Sequence, residues 1–238
     1  MSEDGTNGRV RPGHTGTGPG AITPDGCAVD LYRRLGPGTE PEVIGSAVPA
    51  GATLLELGSG AGRVTAPLAE RGFAVTAVDE SAEMLEAVGE RAPGVETVLS
   101  SIEDLDLSRR FDAVVLGSFL VHTADVETRR ALLATCRRHV KDDGRVLIQR
   151  EGADWHVDLP RERHDPAGYT VRIMSAEPVE EGVNSVHAEY VFPDARWTQT
   201  FLSRPLTHEA LAGHLEAAGL AFESYLTEDG TWLAARPR

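Results

Sequence analysis

The chain has 238 residues, 37 acidic against 23 basic, with a formal net charge of −14. Clustered Lys and Arg are what a phosphate backbone requires, so nucleic acid is not an expected partner; Arg33-Arg34, Arg109-Arg110, Arg129-Arg130 and Arg137-Arg138 stand among acids and read as solvated faces. Cys27 and Cys136 lie far apart and outside any metal-ligand spacing, no apolar run reaches membrane-spanning length, and no charged start leads into an apolar leader. These features exclude a disulfide framework and a transmembrane segment, and imply one cytoplasmic domain.

Residues 1–24 are rich in Gly, Pro, Thr and Ser, which predicts a disordered tail ahead of a domain spanning 25–238. Residues 27–35 suggest a short amphipathic helix and 42–47 a second. The apolar run Thr53–Leu57 then breaks into Gly58, Gly60 and Gly62, and a helix is expected over 62–71. A strand over 74–78 ends in Asp79, twenty-one positions after Gly58. A glycine turn followed by a carboxylate at the tip of the second strand is the pattern that holds a nucleoside ribose in open α/β sheets. Here the glycines run G-x-G-x-G, and Glu56 precedes them inside the strand. A carboxylate there repels pyrophosphate and suits a ligand carrying positive charge. A P-loop is excluded, because no Gly-Lys-Ser/Thr follows and Lys141 is the sole lysine.

Ser81 is a natural N-cap for a helix over 81–90, and strands are expected near 96–100, 111–117 and 145–150, with a helix over 126–140. Strand and helix alternating in this way imply a doubly wound parallel sheet. After residue 150 the pattern changes: 169–174, 185–192 and 196–202 alternate apolar and polar residues between turn formers. They predict an antiparallel meander, about 168–204, inserted after the fifth strand. A helix over 207–218, capped by Thr207, and a hairpin of 220–226 with 231–235 turning at Asp229-Gly230 complete the chain.

Four segments together resemble the class I S-adenosylmethionine-dependent methyltransferases: Glu56–Gly62, Val78–Met84, Phe111–Leu116 and Val140–Ile148. The resemblance covers about residues 50–150 and implies an α/β fold, a Rossmann-like, seven-stranded, mostly parallel sheet whose last strand is antiparallel. It further implies S-adenosylmethionine as cofactor and S-adenosylhomocysteine as product. On this reading Glu56, Gly58, Gly60 and Gly62 line the methionine end, Asp79 takes the ribose hydroxyls with Glu80 beside it, and Met84 packs on the adenine or simply belongs to the core. Ser101, where the family often has an acid, and Ile102 fall at the adenine edge. Gly117 ends the fourth strand near the sulfonium, and Tyr32 either closes over the cofactor or packs its own helix.

The sulfonium already activates the methyl group, so the protein has mainly to position the nucleophile and remove its proton. His122, just past the fourth strand, is the first candidate base, the alternative being a helix cap; His156 is the second. No catalytic metal site is evident. The expected activity is methyl transfer to an oxygen or nitrogen of a small molecule, with the meander roofing the acceptor pocket and offering a surface on which two subunits could pair. The rivals are a methyltransferase fold turned to cyclisation or decarboxylation, and a regulatory binding module. Abundant Ala and Gly with a single lysine suggest a GC-rich bacterial genome and, with it, specialised metabolism such as antibiotic biosynthesis.

Overall fold

The computed structural model describes residues 10–152 and 154–238. From the N-terminus run β1 (Thr15–Thr17), α1 (Val29–Arg34), α2 (Glu40–Ser46), β2 (Thr53–Leu57), α3 (Thr65–Glu70), β3 (Ala74–Asp79), α4 (Ala82–Arg91), β4 (Glu96–Leu99), β5 (Phe111–Leu116), α5 (Val126–His139) and β6 (Val140–Gln149). Then come β7 (Arg161–Asp165), β8 (Tyr169–Glu180), β9 (Val183–Val191), β10 (Arg196–Ser203), α6 (His208–Ala217), β11 (Leu220–Tyr225) and β12 (Trp232–Pro237).

Seven strands form one sheet in the order β11-β12-β6-β5-β2-β3-β4. Strands β2 to β6 pair in parallel, and β12 runs antiparallel to both neighbours, as the α/β reading anticipates. Side chains alternate between two cores, because successive residues of a strand point to opposite faces. Leu55, Val114, Val146 and Ile148 pack against α5 and α6, whereas Leu54, Val115 and Leu147 pack with Ile44, Leu68 and Phe73. With both faces covered, the central strands can be almost wholly apolar. The chain order reverses between β2 and β5, so their carboxyl ends diverge and leave a crevice there. No described helix is long and apolar enough to cross a membrane.

The second sheet is antiparallel, ordered β1-β10-β9-β8-β7. It contains the expected meander and two strands that periodicity did not reveal. Strand β7, Arg-Glu-Arg-His-Asp, carries no apolar alternation; it is an edge strand, where charge deters further pairing. Strand β1 overturns the expectation of disorder for the described part of residues 1–24, since Thr15, Gly16 and Thr17 pair with Thr200, Gln199 and Thr198. Residues 1–9 lie outside the described residues. Beyond β1, the carbonyl of Pro19 accepts from the indole N–H of the fully buried Trp197 at 2.9 Å. Trp197 packs with Ala28 and Leu31 and so joins this sheet to α1.

Deleting residues 1–20 should therefore lower the melting temperature by several degrees in differential scanning calorimetry. An orphaned buried indole N–H costs about 1–3 kcal/mol, and in a chain of this size each kcal/mol moves the midpoint by roughly 2–4 °C. An unmoved midpoint would show that the segment contributes nothing.

Candidate active site

The carboxyl ends of β2, β3, β5 and β6 face the antiparallel sheet across a cavity of about 1620 Å³. Its floor includes Gly58, Gly60, Asp79 and Gln149, and its roof includes Tyr169, Ile173, Tyr190 and Phe201. On the floor the chain leaves β2 through Gly58, Gly60 and Gly62, at φ of +71°, +52° and +76°. Side chains are disfavoured at these angles, and at two of the positions there is little room as well. A Cβ on Gly58 would meet Leu120 at 3.0 Å, and one on Gly60 would meet the Tyr32 ring at 3.1 Å. Gly62 serves another purpose: a Cβ there would lie 3.3 Å from Val88 in α4, so this glycine permits helix packing and does not line the cavity.

Asp79 holds the loop in place. One carboxylate oxygen accepts from the Gly60 N–H at 2.8 Å and the other from the Ser81 N–H at 2.9 Å. Burial pushes its carboxyl up to about 6, although the Ser81 and Gly60 amides pull the other way. Ser81 in turn caps α4 by accepting from the Met84 N–H at 3.2 Å. Met84 is buried with Val29, Ala61 and Ala87 yet still borders the cavity, as do Ile102, Glu80 and Tyr32. Arg11 reaches across from the N-terminal segment to ion-pair with Glu80 and Glu103.

Like Gly62, three further expected cofactor contacts do not border the main cavity. The Ser101 hydroxyl is spent locally, donating to Asp104 at 2.8 Å, and Ser101 does not border the cavity. Glu56 and Gly117 border instead an adjoining cavity of about 20 Å³, shared with Gly58, Arg63, Ser118 and Gln149. Glu56 accepts from the Thr65 hydroxyl at 2.7 Å, and burial raises its carboxyl to about 7 against the pull of Thr65 and Arg63. Beyond Gly117, Ser118 and Phe119 both adopt left-handed backbone, at φ of 51° and 59°. Two such non-glycine residues in succession are sterically unfavourable, and strain of this kind concentrates at ligand sites. Ser118 is held there by its N–H, which donates to Gln149 Oε1 at 2.8 Å.

His122 sits at the cavity but is not available as a base. Its Nε2 accepts the Glu151 backbone N–H at 3.0 Å, so Nδ1 bears the proton and donates to the Arg204 carbonyl at 2.9 Å. Burial lowers its pKa, and both nitrogens of the neutral ring are committed. Its own carbonyl accepts from the Arg204 N–H at 2.8 Å. His122 thus ties the residues just past β6 to those just past β10. His156 lies behind the cavity wall, its Nε2 2.8 Å from Glu151 Oε2 and its Nδ1 3.2 Å from the Asn184 amide nitrogen.

The residue missed by sequence reasoning is Glu151, a buried carboxylate that borders the cavity two positions past the end of β6. The signal was present, since an acid at a strand's carboxyl end is what singled out Asp79. Its partner Ser203, also lining the cavity, donates its hydroxyl to Glu151 Oε1 at 2.6 Å. Nearby, the Phe119 and Trp155 rings lie 4.8 Å apart. Among the described residues, no group of three or more His, Cys, Asp or Glu could hold a metal ion.

A glycine loop with little room for side chains and a two-pronged carboxylate on the next strand fit an adenosyl ligand. Comparison with known proteins agrees. A model of the methyltransferase domain matches residues 54–144. An uncharacterized methyltransferase of Mycobacterium tuberculosis is 39% identical over 94 residues, 39% of each chain. The glycine/sarcosine N-methyltransferase of Aphanothece halophytica is 30% identical over 150 residues, 59% of this chain and 56% of that protein. The chain thus spans about two-fifths of the length of the first curated relatives it matches.

Solved structures extend the likeness in fold to nearly the whole chain. The sugar N-methyltransferase of a Streptoalloteichus species superposes with a TM-score of 0.69 at 23% identity, covering 89% of this chain and 93% of that one. An amino pentose methyltransferase of Micromonospora echinaspora, solved with S-adenosylmethionine bound, gives 0.67 at 21% identity, covering 88% and 94%. The loop from Glu56 to Gly62 and Asp79 at the tip of β3 fall within residues 54–144, the part of this chain that matches the methyltransferase domain.

Proposed function

We propose that the protein transfers a methyl group from S-adenosylmethionine to a nitrogen or oxygen of a small molecule, within bacterial specialised metabolism. The observation that carries this reading is the roofed cavity of about 1620 Å³, which opens from the glycine loop and Asp79. A site of that volume has room for the cofactor and an acceptor together. The names of the relatives point the same way: one acts on glycine and sarcosine, one on a sugar nitrogen, and one on an amino pentose in calicheamicin biosynthesis.

When bound, the cofactor supplies a methyl group already activated on a sulfonium. The chain's own work is binding and orientation. Asp79 takes the ribose hydroxyls, Met84 and Ile102 flank the adenine, and Glu80 lies at the same end. Gly58 and Gly60 bring backbone against the ligand, Tyr32 covers it, and Glu56 and Arg63 present charge to the ammonium and carboxylate of the methionine end. In-line positioning of two reactants accounts for most of such an acceleration, and effective molarities of about 10⁵ M or more are attainable.

The test is calorimetric titration with S-adenosylhomocysteine, followed by chromatographic detection of that product from S-adenosylmethionine and a panel of amino sugars, amino acids and phenols. Saturable binding and product formation with at least one acceptor are expected. Absence of binding would overturn the reading.

A further inference from the structure

Resting on that reading, we infer that Glu151, set by Ser203, His156 and His122, is the catalytic seat of the acceptor's nucleophile, and that this nucleophile is an amine.

Glu151 is a buried carboxylate on the cavity wall, fixed from three sides. Ser203 of β10 donates to one oxygen at 2.6 Å. His156 approaches the other at 2.8 Å, and its far nitrogen takes the Asn184 amide of β9 at 3.2 Å. The Glu151 backbone is pinned by His122, which also grips Arg204, the residue after Ser203. Floor and roof therefore meet at this one side chain: the inserted sheet supplies one partner directly, Ser203, and holds another, His156, through Asn184.

The geometry separates this cluster from a nucleophilic serine triad. In a triad the acid orients the histidine through the nitrogen remote from the serine. Here the acid occupies the same Nε2 that lies 3.5 Å from the Ser203 hydroxyl, and Ser203 gives its proton to the acid. The carboxylate is the hub, and the serine and histidine hold it.

A carboxylate has about four lone-pair sites, and Ser203 and His156 occupy two. His122 Nδ1 stands 3.4 Å from the oxygen that His156 holds, and Glu151 lines the cavity, so a donor arriving there meets the carboxylate; an amine offers both N–H groups and positive charge. In methyl transfer the C–S bond breaks, a C–N bond forms, and positive charge passes from sulfur to nitrogen. Glu151 stabilises that developing charge and then receives the N–H proton, leaving a neutral methylated amine. Fixed opposite charge on a buried carboxylate acts strongly in such a transition state.

The experiment compares wild type with Glu151→Gln on paired acceptors, each an amino sugar and its hydroxyl counterpart, with S-adenosylhomocysteine affinity and melting temperature measured alongside. Wild type should methylate the amine and not the hydroxyl counterpart. In Glu151→Gln, kcat should fall by about 100-fold or more, the range of general acid–base and charge-stabilising groups, while cofactor affinity stays within twofold. Ser203→Ala, which leaves the carboxylate in place, should lower kcat about tenfold and serves if Glu151→Gln fails to fold. His156→Gln, whose amide can still donate to Glu151, should retain more kcat than His156→Ala, with KM little changed. Turnover of Glu151→Gln within threefold of wild type, or hydroxyl acceptors outpacing amines, would overturn the inference and leave the methyl-transfer reading intact. Wild type that binds S-adenosylhomocysteine but methylates none of the acceptors would overturn both.

Discussion

Replacing Asp79 by alanine should weaken S-adenosylhomocysteine binding by about 10- to 100-fold. The side chain does two jobs. It would accept the ribose hydroxyls, and it already fixes the loop by accepting from the amides of Gly60 and Ser81 at 2.8 and 2.9 Å. Removal leaves those amides without their acceptor, and each lost bond to a buried partner costs about 1–3 kcal/mol. Asp79→Asn retains one accepting oxygen and should fall between the two. The pH dependence is a second signature. Burial holds the Asp79 carboxyl at about 6, so it is ionised at neutral pH and gains a proton as the pH falls through that value. Affinity in the wild type should decline more steeply below about pH 6, while Asp79→Asn should lack that limb and keep only the decline through about pH 7 that Glu56 carries. Titration calorimetry between pH 5 and 8 measures both effects, and an Asp79→Ala variant with unchanged affinity would remove this residue from the site.

Glu56→Gln should stabilise the fold and weaken the cofactor. Burial raises the Glu56 carboxyl from 4.5 to about 7. A group raised in this way stabilises the folded state fully below its unfolded value, and that contribution is lost as the pH rises through the folded one. At pH 8 the ionised carboxylate therefore costs on the order of 3 kcal/mol. Glutamine remains neutral, and its amide oxygen can still accept from the Thr65 hydroxyl now 2.7 Å from the carboxylate. The melting temperature at pH 8 should rise by about 5–10 °C, and the gain should shrink as the pH falls and vanish below about pH 4.5, where Glu56 is neutral in both the folded and unfolded states. Affinity for S-adenosylhomocysteine should fall about tenfold at pH 8, because the charge facing its ammonium is gone. A melting temperature identical to wild type at pH 8 would show that the charge carries no penalty.

Opposite signs for stability and binding are what a site built around an unfavourably buried charge requires. The acid that weakens the empty fold is the one that suits a cationic ligand. The left-handed pair Ser118 and Phe119 has the same character, strain accumulated where the strand ends meet the cavity.

The parallel sheet, the glycine loop, the carboxylate at the tip of β3 and the meander were legible along the chain because each is announced locally. Apolar runs mark strands buried on both faces, glycines mark positive φ, and alternation marks a sheet buried on one face. Strands β1 and β7 had no such signal: Thr-Gly-Thr and Arg-Glu-Arg-His-Asp become strands only because β10 and β8 present unpaired edges to them. The direction of a side chain was equally beyond local reading. The Ser101 hydroxyl turns to Asp104, and Gly62 packs its backbone against α4, although both lie in the right segments.

The histidines show the division most clearly. Sequence alone identified His122 and His156 as residues near the carboxyl ends of the fourth and fifth strands, with the chemistry to move a proton. Only the tertiary structure decided that His122 is a locked brace and that His156 supports Glu151, because hydrogen-bond partners from residues 184, 203 and 204 reach them from a sheet distant in sequence. The residues of the chain set which strands and turns form and where a cofactor can lie. Which polar group faces the acceptor is settled by packing, since a buried donor or acceptor must take whatever partner the fold brings within about 3 Å.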